Sequence, residues 1–198
     1  MSRRGWFWVL GGGVVIAIVV VGILQSGGST RAPEPDKFDI AAASRSLAAA
    51  PGPLAALYAQ PSKLVPATKK SYGEQLAALK GHPIVVNKWA SWCGPCRAEF
   101  PVLQATSTKY GKQVAFLGLD SQDNDADAGK FLSHFPVPYP SLVDRNSRIA
   151  QDLGIAKFFP TTVFYDADGK QQYVHDGPYT SDDGFAADIK RYALGQPQ

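Results

Sequence analysis

The chain has 198 residues, 45% of them hydrophobic and 19% charged, with a formal net charge of +3. That length holds one domain of ordinary size with a real core, once an apolar N-terminal block is set aside. The small charge, with no Lys/Arg cluster, speaks against a nucleic-acid surface. Three scattered histidines (His82, His134, His175) beside two cysteines give no zinc spacing, so no metal and no bound cofactor is expected.

Residues 6–24 carry no charge and no proline. At about 1.5 Å per residue such a run reaches across a hydrocarbon core. Trp6 and Trp8 suit the interface, and Arg3 and Arg4 keep the N-terminus cytoplasmic. Residues 1–24 are therefore expected to be a cytoplasmic stub and single-pass membrane anchor, with the remainder extracytoplasmic, where disulfides persist. The alternative is a cleaved signal peptide. Its apolar region would be shorter and would end in a small-x-small site, and residues 25–30 hold no clear Ala-x-Ala.

Residues 25–65 read as a tether followed by Ala-rich helical padding broken at Pro51, Pro53 and Pro61, with no known motif. A domain is expected over residues 66–198. Its pattern is a helix at 73–79, a buried strand at 84–89, a helix at 95–110, a strand at 114–120 and a helix at 125–134. A short strand at 139–143 and a short helix at 147–153 follow, then a strand at 161–165, a hairpin turn and a return strand at 171–175. A closing helix at 181–194 has Ser181 as N-cap. This order predicts an α/β fold: a mixed, mostly parallel sheet with one antiparallel edge and helices on both faces.

The chemistry centres on Trp92-Cys93-Gly94-Pro95-Cys96, which holds both cysteines. A Cys-x-x-Cys at a strand–helix junction is a redox arrangement. The helix N-terminus stabilises a thiolate, so Cys93 is expected to be the exposed nucleophile. Cys96, one turn further in, would resolve the mixed disulfide. Pro95 fits the first helical turn. Trp89 and Trp92 would flank the site as an apolar surface for substrate. A structural disulfide is the competing reading, but so short a loop gains little from closure. Half of a metal site would need further soft ligands, and none stands at a suggestive spacing.

Phe159-Pro160-Thr161 places a proline, cis or trans, just before a strand. Glu99 shares a helical face with Cys96 and should look toward Asn87. It is either a proton carrier for the Cys96 thiol or an exposed first-turn glutamate. Lys88 is anomalous in a covered strand and is expected to snorkel or to pair with a carboxylate such as Asp120.

Residues 87–101, NKWASWCGPCRAEFP, together with Phe159-Pro160-Thr161 and the element order, resemble the thioredoxin superfamily. The likeness is strongest to its membrane-anchored, TlpA- and ResA-like thiol–disulfide oxidoreductases and covers about residues 71–194. The resemblance implies a thioredoxin-like fold, a kink at Pro101, a cis Pro160 packed against the cysteine pair, and a Glu99 that tunes the cysteines. Residues 125–143 match that branch's insertion. Thioredoxin itself carries a buried Asp where Asn87 stands, and Lys88 departs from the usual aromatic or apolar residue. The branch acts on protein disulfides and dithiols, such as apocytochrome c cysteines, with electrons from a membrane partner. A Cu(I) chaperone using both thiolates, or a thiol peroxidase on the same fold, are the alternative functions.

Overall fold

A computed structural model describes residues 38–196. The expected anchor at residues 6–24 lies outside them. Among the described residues no helix is long and apolar enough to cross a membrane.

The elements run α1 (Ile40–Leu47), α2 (Gly52–Tyr58), β1 (Leu64–Pro66), α3 (Lys69–Ala78), β2 (Ile84–Trp89), α4 (Gly94–Tyr110), β3 (Ala115–Ser121), α5 (Asp125–His134), β4 (Ser141–Asp144), α6 (Arg148–Asp152), β5 (Thr161–Tyr165), β6 (Gln171–Asp176) and α7 (Asp182–Asp188). A π-helical turn, Ile189–Ala193, continues α7. The six strands form one sheet in the order β1-β4-β3-β2-β5-β6. β1, β4, β3 and β2 pair in parallel, whereas β5 runs antiparallel to both of its neighbours. This is the expected mixed sheet. β2 is buried at all six positions and β6 is the half-open edge.

The padding expected at residues 38–65 is a correction: the compact unit begins at Phe38, not at residue 66. Asp39 caps α1 by accepting from the Ala42 N–H at 2.8 Å. Leu47, Leu54, Leu57 and Tyr58 of α1 and α2 are buried in the core. The Tyr58 hydroxyl donates to the Val114 carbonyl and accepts from the Phe116 N–H at 3.2 Å, which ties α2 to the start of β3. β1 adds a sheet edge beside β4. Its three residues are too few to show a two-residue period.

Alternation along β2 places the site. Asn87 and Trp89 face α4, where Trp89 meets the Phe100 ring edge-on at 5.5 Å and stacks on Phe131 of α5 at 5.0 Å. Its indole N–H donates to Ser141 Oγ at 3.1 Å. Gly118 of β3 makes room for this contact, because a Cβ there would sit 2.9 Å from the indole nitrogen and closer still to Ser141. Lys88 points to the opposite face of the sheet.

Candidate active site

Strand β2 ends in the middle of the sheet, and residues 90–93 lead into α4. In α/β sheets this carboxyl end is where sites form. Cys93 is the N-cap of the 17-residue helix α4, and its sulfur accepts from the Cys96 N–H at 3.0 Å. Cys93 and Cys96 are disulfide-bonded, with Cα atoms 5.3 Å apart. The sulfur thus lies where free backbone N–H groups and the positive end of the helix dipole stabilise negative charge. Pro95 occupies the first turn, and Pro101 lies inside the helix, unable to return an N–H to the preceding turn.

Two expectations about exposure change. Cys93 is only 4% exposed in the disulfide form, although it remains the outer of the pair, Cys96 being wholly covered. Trp89 does not flank the site, because it is consumed in the core by the Phe100 and Phe131 contacts. Of the two, Trp92 alone is exposed beside the cysteines. Trp92 at 58% and Phe158 at 57% are the exposed large hydrophobics among the described residues. The Phe159–Pro160 peptide is cis, as the resemblance implied. The Phe159 ring lies 4.9 Å from that of Trp92, so the segment before β5 and the segment before Cys93 share one aromatic surface. Thr161 is buried, with its Oγ 2.9 Å from the Phe158 carbonyl and 3.0 Å from Asp176 Oδ1. Its single proton serves one of them at a time.

Glu99 is fully buried, one turn beyond Cys96, so it is not an exposed first-turn glutamate. Asn87 Nδ2 donates to one carboxyl oxygen at 2.8 Å and the Tyr179 N–H to the other at 3.1 Å. Burial outweighs both donors and pushes the carboxyl up to about 7. A group poised there can hold or release a proton at neutral pH.

The sequence reading missed the loop after β3. The Asp123 carboxylate accepts from the Ser91 N–H and, at 2.9 Å, from the Ser91 hydroxyl. The Trp92 indole N–H donates to the Gln122 carbonyl at 2.8 Å. Residues 122–123 therefore fix the two residues before Cys93. The signal available was the acidic run Asp120 to Asp125, placed where β3 ends beside β2.

Asp120 is buried with no donor to either oxygen. Burial, and next the Asp123 charge, push its carboxyl up to about 8. At neutral pH it is therefore mostly protonated, and its hydroxyl can donate to the Asp123 carboxylate. A native pKa above the unfolded value means the native state holds the proton longer, so stability falls as pH rises from about 4 to about 8. Asp120→Asn should therefore stabilise the chain by on the order of 2 kcal/mol at pH 7–8 and by little near pH 4. Thermal melts across that range check this; an equal gain at every pH would contradict it.

The expected Lys88–Asp120 pair does not form. Asp120 is the register partner of Trp89, so it shares the face of Trp89 and not that of Lys88. The Lys88 amine instead donates to the Ile155 carbonyl at 2.5 Å.

A Redoxin family model matches residues 60–189. The chain belongs to the Redoxin family. Among Redoxin-like relatives, the thiol-disulfide oxidoreductase ResA of Bacillus thuringiensis is 31% identical over 97 residues, 48% of this chain and 56% of that protein. The thiol:disulfide interchange protein DsbE of Pseudomonas fluorescens is 38% identical over 101 residues, 50% of this chain and 54% of that protein. The chain spans about half the length of the curated relatives it matches. A secreted Mycobacterium tuberculosis disulfide oxidoreductase homologous to E. coli DsbE superposes with a TM-score of 0.52 at 26% identity, over 58% of this chain and 85% of that structure. With the sheet order, these likenesses make the fold thioredoxin-like.

Proposed function

We propose that this Redoxin-family chain is a thiol–disulfide oxidoreductase that reduces disulfides of exported proteins. The observation that carries the proposal is the Cys93–Cys96 disulfide closed across the N-terminus of α4 at the carboxyl end of the central strand. The names of its ResA and DsbE relatives agree with it.

In the reduced chain, the Cys93 thiolate attacks one sulfur of a substrate disulfide. A Cys93–substrate bond forms as the substrate S–S bond breaks, and the departing substrate sulfur takes a proton. Cys96 then attacks the Cys93 sulfur, with its own proton passing to Glu99. The second substrate sulfur leaves as a thiolate, which then takes a proton, and the Cys93–Cys96 disulfide seen here results. Two electrons have moved from the chain to the substrate. Trp92, Phe158 and Phe159 offer the apolar surface on which a polypeptide segment rests, with Gly94 and Pro95 exposed beside the cysteines.

Reduced apocytochrome c cysteines are the product class we favour, with re-reduction by a membrane dithiol partner. No bound cofactor is required, because the Cys93–Cys96 dithiol itself carries the two electrons. Catalysis of insulin disulfide reduction by a small dithiol tests the activity: the chain should accelerate insulin precipitation, and an unaltered lag would refute the proposal.

The uncharged run at residues 6–24 supports a single-pass anchor with the Redoxin domain outside the cytoplasm. On this reading the full-length chain should stay in the membrane pellet after a carbonate wash. A shortened soluble species would show cleavage instead.

A further inference from the structure

Lys88 is wholly covered, among the largest buried side chains of the described residues. A lysine in that position is costly, since an apolar residue would fill a central strand without desolvating a charge. Three contacts define what it does. Its amine donates to the Ile155 carbonyl at 2.5 Å. The same nitrogen lies 3.8 Å from the centre of the Phe159 ring. Its backbone pairs with Thr161, the residue after Pro160. Ile155 and Phe159 bracket the segment that leads from α6 to β5, so one ammonium grips that segment at both ends. Asp176 on β6 and Asp144 on β4 supply the nearby negative charge, but among the described residues neither forms an ion pair with it. The aromatic ring and the carbonyl are its direct partners.

The Phe159 ring that the ammonium holds is also the ring against Trp92. We propose that Lys88 is a positioning residue: its buried ammonium holds Phe159 against Trp92 and so shapes the aromatic surface that receives the polypeptide around a substrate disulfide. This rests on the oxidoreductase reading and adds a recognition element to it. Lys88 does not touch the reacting sulfurs in this account. Its removal should weaken binding of a protein substrate and spare the thiol chemistry. Burial lowers the amine to about 8, with Asp176 and Asp144 working in the opposite direction. The grip is therefore present at neutral pH and weakens above it.

The test compares the full-length chain with Lys88→Met and Lys88→Arg. Each is assayed with insulin and with a small aromatic disulfide that needs no polypeptide contact. Lys88→Met should raise the KM for insulin about fivefold, the equivalent of one cation–π contact. Its kcat, its rate with the small disulfide and its melting temperature should not fall, and Lys88→Arg should restore much of the KM. An unchanged KM would overturn the proposal. So would a parallel loss with both substrates, which would place Lys88 in the chemistry or in stability. Failure of the unsubstituted chain with both substrates would instead refute the oxidoreductase reading. Should Lys88→Met not fold, an NMR titration of the unsubstituted chain decides. Phe159 ring resonances that follow the Lys88 ammonium support the contact, and resonances that ignore it overturn the proposal.

Discussion

Cys93→Ser should reduce disulfide-reductase turnover to background, a loss of several orders of magnitude. A hydroxyl near neutral pH is not a nucleophile toward sulfur, and Cys96, the one cysteine left, is wholly covered. The fold should tolerate the change. Cys93 caps α4 by accepting from the Cys96 N–H, and serine is itself a favoured N-cap acceptor. The disulfide closes a loop with a sequence separation of only 3, and so contributes little through loop closure. Activity and stability therefore separate. The variant should melt within a few degrees of the reduced chain while turnover vanishes. Insulin turnover together with a melt under reducing conditions measures both, and retained turnover in a folded Cys93→Ser chain would remove the basis of the mechanism.

Glu99→Gln should slow the resolving step on the order of 10²-fold, the lower end of what a positioned proton carrier contributes. Glutamine keeps the shape, and its single amide oxygen can accept from one of the two donors that hold the carboxylate, Asn87 or the Tyr179 N–H. It cannot take a proton from Cys96. The mixed disulfide on Cys93 should accumulate, while alkylation of Cys93 by a small reagent continues at the original rate. The pH dependence separates the roles further. With a carboxyl at about 7, the unsubstituted chain should show a transition in that region that the glutamine variant lacks. The same raised pKa gives a stability signature of defined sign. Between about 4.5 and about 7 the native state retains a proton that the unfolded chain has lost, so stability declines across that window. Glu99→Gln should flatten the decline. Quenched-flow trapping of the mixed disulfide measures the step; unaltered resolution with the same pH transition would assign Glu99 to structure.

What could be read in advance follows from how locally each feature is encoded. Cys93, Cys96 and Glu99 sit within seven consecutive residues, and helical spacing puts Glu99 on one face with Cys96, while its burial comes from the packing of the fold. The strands at 84–89 and 161–165 were equally open to reading, because β-branched and aromatic runs announce buried strands. Trp89 and Trp92 show the limit. They stand three residues apart in the same motif, yet one is sealed by Phe131 from a helix forty residues on and the other is exposed. Only tertiary packing separates them. The grip of Asp123 on Ser91 was hidden for the same reason, since its partner lies 32 residues away. Lys88 was misplaced by a more elementary rule. Its supposed partner Asp120 is in register with Trp89, so strand alternation sends the two charges to opposite faces. Residues 38–65 carried no motif at all. Their role emerges from Leu47, Leu54 and Tyr58 filling the core and from a three-residue strand completing the sheet edge.

Asp120 and Glu99 are two buried carboxyls in different surroundings. Glu99 has two donors and lies one turn from Cys96, an arrangement suited to passing a proton. Asp120 has no donor and lies beside the acceptor that holds Ser91, an arrangement suited to fixing the approach to Cys93. Their environments push both above the ordinary carboxylate range, chiefly by burial.

On the proposed reading, the order of attack distinguishes a catalytic pair from a staple. Cys96→Ser, reduced and mixed with a protein disulfide, tests it most directly when the trapped adduct is digested and mapped by mass spectrometry. The account predicts a stable adduct joined through Cys93. No adduct from the folded protein, or an equally abundant adduct through Cys96 in the Cys93→Ser chain, would contradict it.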